Sequence, residues 1–216
     1  MARIKQSYTE ELVNVLSHGA GMLFGLVVFC LLWYKAIHTG DPWVIGSFTV
    51  YALSMTFSYV TSTFYHASTN ARQKRTLRRY DHAAIYIHIA GTYTPFTLVA
   101  LRGEGFWGWS LFVIVWLAAI VGVWLSFRKM KKKSPLKTIC YLLMGWVVVI
   151  AFKPLITVFQ RTDNMIVLYW LIAGGLFYSL GTIFFSLDKY KFMHCIWHFF
   201  VLGGTVCHFM AIYLLV

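Results

Sequence analysis

The chain has 216 residues, 59% of them hydrophobic and 19% aromatic, with 19 Lys and Arg against 7 Asp and Glu. Charged residues make up 12%, where a soluble domain carries about a quarter, and the mean hydropathy is +0.67; a soluble enzyme, a disordered chain and a disulfide-stapled secreted scaffold are all excluded. The formal net charge of +12 does not indicate nucleic acid, because nearly all the basic residues fall in short segments between apolar runs.

Seven apolar stretches are long enough for the roughly 20 residues a transmembrane helix needs. In chain order they are Leu12–Ile37, Trp43–Ala67, His82–Leu101, Phe106–Phe127, Leu136–Phe152, Asn164–Leu187 and Met193–Val216. Each is continuously apolar, without the alternation of a membrane strand, so the expected fold is all-α, one polytopic domain of seven transmembrane helices. The first run is too long for a signal-peptide core, follows Glu10 and Glu11, and has no small-x-small cleavage site after it. In the third, Gly91-Thr92-Tyr93-Thr94-Pro95 predicts a kink, since Pro removes a backbone donor. The fifth is interrupted by Lys153-Pro154 and is expected to end at Phe152 or resume as far as Phe159. Gly174-Gly175 and Gly203-Gly204 read as close helix-packing surfaces. Cys30, Cys140, Cys195 and Cys207 lie within apolar runs, without a CxxC pair, and are expected to be buried thiols.

Orientation follows from the positive residues. Arg3 and Lys5, the loop with Arg72, Lys74, Arg75, Arg78 and Arg79, the loop with Arg128, Lys129, Lys131, Lys132, Lys133 and Lys137, and Lys189 and Lys191 share one side. Lys35, Arg102, Lys153 and Arg161 fall on the other. The N-terminus is therefore expected to be cytoplasmic and the C-terminus outside, the reverse of a G-protein-coupled receptor. The Lys-rich run around Lys131 reads as a topology determinant rather than a dock for anionic lipid.

An ionisable group in hydrocarbon costs a few kcal/mol, so each intramembrane His, Asp or Glu needs a reason. The seventh helix opens with His194-Cys195-Ile196-Trp197-His198, whose i, i+4 spacing puts two imidazoles on one face. The second ends with Ser62-Thr63-Phe64-Tyr65-His66, and Arg79-Tyr80-Asp81-His82 opens the third. Topology alone brings His66, Asp81, His194 and His198 to one membrane level. Three imidazoles with an open fourth position make a zinc site; thiolate-free ligation suits Zn²⁺ best, with Fe²⁺ and Mn²⁺ as alternatives. The competing reading is a set of interfacial histidines bonded to carbonyls or lipid head groups. Glu11, Asn14 and His18, at i, i+3, i+7 on the first helix, are expected to form a hydrogen-bonding cluster that ties that helix to its neighbours. His88 reads as a satisfied core histidine, and His82 is one residue off the Asp81 face. His208 lies about 15 Å deeper than His198, and His38 falls in an outer loop.

Glu11-x-x-Asn14-x-x-x-His18, Ser62-x-x-x-His66, Tyr80-Asp81-His82 leading to Gly91-Thr92-Tyr93-Thr94-Pro95, and His194-x-x-x-His198 occur in that order. Together they resemble the progestin and adiponectin receptor superfamily, in particular its bacterial hemolysin III branch, over essentially the whole chain. The resemblance implies zinc near the cytoplasmic face, held by His66, His194 and His198, with Asp81 holding a zinc-bound water and Ser62 facing it. It also implies a location in the bacterial plasma (inner) membrane. The adiponectin receptor branch is associated with ceramide amide hydrolysis; hemolysin III proteins are named for a cytolytic, pore-like activity, and some are linked to membrane-lipid homeostasis. The first expectation is a zinc hydrolase that uses Asp81 and Ser62 on a membrane lipid, ceramide-like or acyl. The alternatives are a non-catalytic lipid sensor with structural zinc and a pore-forming hemolysin.

Overall fold

The computed structural model describes residues 6–128 and 136–216. Arg3, Lys5 and the Lys-rich run at 129–133 lie outside the described residues. Among the described residues seven helices are long and apolar enough to cross a membrane: α1 (Tyr8–Thr39), α2 (Pro42–Ala67), α3 (Ala71–Ala100), α4 (Trp107–Phe127), α5 (Lys137–Arg161), α6 (Met165–Ser186) and α7 (Met193–Tyr213). No strand occurs among the described residues.

The helices begin where side chains cap them. At α1 a capping box joins Ser7 and Glu10: the Glu10 amide donates to Ser7 Oγ at 3.3 Å, and the Ser7 amide donates to Glu10 Oε2 at 2.8 Å. Asp41 caps α2, with Pro42 just inside the helix. Asn70 Oδ1 accepts from the amides of Arg72 and Gln73 and so opens α3 at Ala71, eleven residues before His82. The basic residues Arg72 to Arg79 therefore form the first turns of a helix and not a loop. Hydropathy marks where the chain meets lipid, whereas Lys and Arg are good helix formers up to the cap. α1 likewise runs past Ile37 to Thr39, which places His38 in its last turn, and Gly40 at φ 66° then stops it.

The expected break at Pro95 takes the form of a π-turn, Phe96–Ala100. Thr94 and Thr97 donate their hydroxyls to Ala90 O and Tyr93 O on the same helix, at 2.9 and 3.0 Å. The fifth span continues beyond both expected ends to Arg161. Its irregularity is a 3₁₀ stretch at Val147–Ala151, ahead of Lys153-Pro154, and Pro154 falls in the first turn of the resumed helix, where proline is tolerated. Tyr93 bridges that stretch, its hydroxyl donating to Gly145 O at 2.6 Å and accepting from the Val148 amide at 2.9 Å.

Consecutive helices pack as antiparallel neighbours, and α1 against α7 closes the bundle. α3 is the most enclosed span, with 72% of its apolar window buried. Gly174 and Gly204 do form close contacts: a Cβ on Gly174 would lie 2.1 Å from the His208 ring, and one on Gly204 would lie 2.8 Å from Tyr178. Gly108 is tighter in kind, because its Cβ would meet the backbone carbonyls of Thr97 and Leu101 at 2.6 and 2.7 Å. Backbone cannot swing aside, so Gly108→Ala is expected to destabilise by about 1–3 kcal/mol; thermal unfolding in detergent reads this directly, and an unchanged midpoint would contradict it. Only two of the four thiols are buried as expected. Cys195 and Cys207 lie inside, Cys140 is half-buried and Cys30 is exposed, because apolar residues also cover the outward, lipid-facing side of a span.

Alternation of direction puts the start of α1, the end of α2, the start of α3 and the start of α7 at one end of the bundle. At the opposite end Arg102 and Arg161 pair with Asp41 and Glu104, at 3.4 and 2.5 Å.

Candidate metal centre

α2 contributes His66 from its last turn, and α7 contributes His194 and His198 from its first. Their ligand-capable atoms all lie within 4.8 Å of one another; His66 and His198 are buried, and His194 is half-buried. The rings meet edge to face or tilted, with centroids 4.8–5.2 Å apart. Three imidazoles from two helices that are not neighbours in sequence thus converge as the spacing predicts, and this group could hold a metal ion.

α1 fixes the orientation of two of the rings. His66 Nδ1 donates to Glu11 Oε2 at 2.8 Å, and the other carboxylate oxygen, Oε1, accepts from Lys74 Nζ at 2.7 Å. Lys74 also reaches the His66 carbonyl at 3.4 Å. The Ser17 hydroxyl donates to Asn14 O at 3.1 Å, so it accepts from His198 Nδ1 at 3.2 Å. With Nδ1 protonated and occupied, each ring keeps the lone pair of Nε2 for a ligand. Metal-binding histidines are oriented in this way by a carboxylate or an oxygen on the far nitrogen.

Of the α1 residues expected to support the site, Glu11 does so by a hydrogen bond, and Asn14 lies alongside, its Nδ2 3.4 Å from His66 Nδ1. His18 acts differently from the expectation. Its ring stacks on His198 with centroids 3.6 Å apart and meets Tyr59 edge-on, while neither of its nitrogens has a hydrogen-bond partner among the described residues. It packs the cluster. His88 departs from the satisfied core histidine expected, since its Nε2 is buried without a hydrogen-bond partner among the described residues. His208 Nε2 lies 3.2 Å from Leu171 O, far along α7 from the cluster.

Asp81 is half-buried at the start of the apolar part of α3, with the Ser62 hydroxyl as hydrogen-bonding neighbour and His66 and Arg78 within electrostatic reach. It stands beside the three-histidine group and is not a member of it. Sequence reasoning missed two contributors. Ser17 falls on the buried stripe Glu10, Asn14, Ser17, Gly21 of α1, so its spacing was the available signal. Glu10 Oε1 accepts from the Phe192 amide at 2.8 Å, fastening the start of α1 to the start of α7, just before His194.

Glu11→Gln keeps the shape but removes the charge that faces His66. It is expected to weaken metal binding by about 10–100-fold, measured by competition with a chromophoric chelator; unchanged affinity would show that the Glu11–His66 bond is incidental.

The family model described as haemolysin-III related matches residues 6–209. Hemolysin-3 of Bacillus cereus is 38% identical over 212 residues, covering 98% of this chain and 94% of that protein. The Hemolysin-3 homolog of Bacillus subtilis (strain 168) is 40% identical over 203 residues, covering 94% and 92%. Monocyte to macrophage differentiation factor of Homo sapiens is 29% identical over 219 residues, covering 98% and 86%. Match and membrane architecture agree, and this multi-pass membrane protein belongs to the haemolysin-III related family, in the hemolysin III branch of the progestin and adiponectin receptor superfamily.

Proposed function

We propose that the protein is a zinc-dependent hydrolase of membrane lipid amides or esters, working at the cytoplasmic boundary of the inner membrane. The observation that carries this reading is a carboxylate, Asp81, with Ser62 as hydrogen-bonding neighbour, beside three converging imidazoles. The donors fit zinc: three nitrogen ligands, no thiolate, and two of the rings with their far nitrogens already committed. Cys195, the nearest thiol in sequence, points its sulfur instead to Glu10 O at 3.6 Å. When bound, zinc supplies Lewis acidity toward a carbonyl oxygen and lowers the pKa of water.

The chain's own residues supply the rest. Asp81 takes a proton from the attacking water and returns it to the leaving amine or alcohol. Ser62 steadies the Asp81 carboxylate, and the same hydroxyl turned toward the developing oxyanion contributes about 3 kcal/mol. Glu11 and Ser17 hold the rings of His66 and His198 so that neither has to reorganise during the reaction.

Incubation of the purified protein with ceramides and glycerophospholipids tests this. Free fatty acid should be released, and release should fall on chelation. A broad lipid panel with no turnover above the His66→Ala background would overturn it. One observation favours a non-catalytic regulator with structural metal: the cluster joins α2 to α7 while Glu10 and Glu11 tie α1 to both, as a staple would. That reading predicts a large loss of thermal stability on chelation with no lipid cleaved.

A further inference from the structure

Two half-buried cations, Arg78 and Lys137, lie at this end of the bundle, and Arg78 is the one whose charge reaches Asp81. Arg78 is one turn before Asp81 and His82 on α3, at i−3 to the one and i−4 to the other, and so neighbours both. Its Nε donates to His82 Nε2 at 3.4 Å, and its charge reaches Asp81. From α5, the Tyr141 hydroxyl donates to His82 O at 3.1 Å, with His82 Nδ1 3.4 Å away, which fastens α5 against this face. Lys137 lies one turn before Tyr141 on the same side of α5, within electrostatic reach of Arg78. The two cations thus converge from two helices on the edge of the site.

Their setting differs from that of the other basic residues at this end. Arg72, Arg75 and Arg79 are exposed, and Lys74 is taken up by Glu11. Among the described residues no ion pair takes up Arg78 or Lys137. Asp81 offsets only one of these two like charges at the edge of hydrocarbon, and an anion joining them would offset the second. In a glycerophospholipid only the glycerol carbons separate the ester carbonyl from the phosphate. One molecule can therefore offer its carbonyl to the Asp81 side and its phosphate to the cations. A ceramide has no such group.

We propose that Arg78 and Lys137 form a phosphate-binding subsite beside Asp81 that selects lipids with an anionic, phosphorylated head group. The choice of an acyl lipid as occupant rests on the hydrolase reading, whereas the subsite is read out by binding alone. The test uses the full, zinc-loaded chain in phosphatidylcholine nanodiscs, titrated with fluorescent phosphatidylglycerol, ceramide or inorganic phosphate. Arg78→Gln and Lys137→Gln should each weaken phosphatidylglycerol binding about tenfold and leave ceramide binding unchanged. Arg78→Lys should recover part of the loss, and the exposed controls Arg72→Gln and Arg79→Gln should change little. Equal losses at all four positions would reduce the effect to surface charge and overturn the subsite. Dependence on Arg78 and Lys137 for inorganic phosphate but not for phosphatidylglycerol would overturn the lipid assignment. Charge-independent binding with intact turnover removes the subsite alone; absent turnover with the expected binding pattern removes the hydrolase alone.

Discussion

His198→Ala should reduce zinc in the purified protein from about one ion per chain to background. His198 is 1% exposed, hydrogen-bonded to Ser17, stacked on His18 and grouped with both other histidines. Its loss leaves two imidazoles, too few for a closed set of protein donors, and removes the ring against which His18 packs. At free zinc about a hundredfold above Kd, binding to the native state is worth about 2.7 kcal/mol. For a chain of this size that raises the unfolding midpoint by about 5–11 °C. The wild type should gain that increment on zinc addition and the variant should not; comparing each protein with and without zinc separates the metal's contribution from the packing lost with the ring. A zinc-dependent rise of equal size in His198→Ala would place the metal elsewhere.

The second large effect is confined to chemistry. Asp81→Asn keeps a hydrogen-bond acceptor for Ser62 but removes the base, so lipid hydrolysis should fall by about 10²–10⁴-fold. Asp81 stands outside the three-histidine group, so zinc content should stay at the wild-type level. The pairing of lost turnover with retained metal separates a catalytic carboxylate from a fourth ligand. Loss of zinc together with activity would make Asp81 a ligand, and unchanged turnover would remove it from the reaction.

Much of this site was legible because membranes make polar residues conspicuous. His66, His194 and His198 stand out in runs where ionisable groups are costly, and antiparallel alternation of seven spans is enough to bring their ends together. The same reasoning singles out Asp81, which the structure sets within electrostatic reach of His66. Ser17 escaped it because a hydroxyl is cheap within a helix, where it can bond a carbonyl of the preceding turn, so it raises no alarm. Its role shows only when His198 is seen on the other side. His18 was placed at the right level with the wrong interaction, since spacing gives a face and not whether a ring stacks or hydrogen-bonds. The start of α3 was misjudged for a related reason: hydropathy reports the membrane boundary, and Asn70 sets the helix boundary well outside it. Arg78 and Lys137 counted only toward topology in the sequence, because the contact of Tyr141 with His82 that brings α5 to α3 is tertiary.

X-ray absorption at the zinc edge of the purified, zinc-replete protein tests the metal centre most directly. The expected spectrum shows nitrogen and oxygen donors at about 2.0–2.1 Å, with outer-shell scattering from three imidazoles that is lost in His194→Ala. A sulfur donor at about 2.3 Å, or zinc no more abundant in the wild type than in His194→Ala, would contradict it.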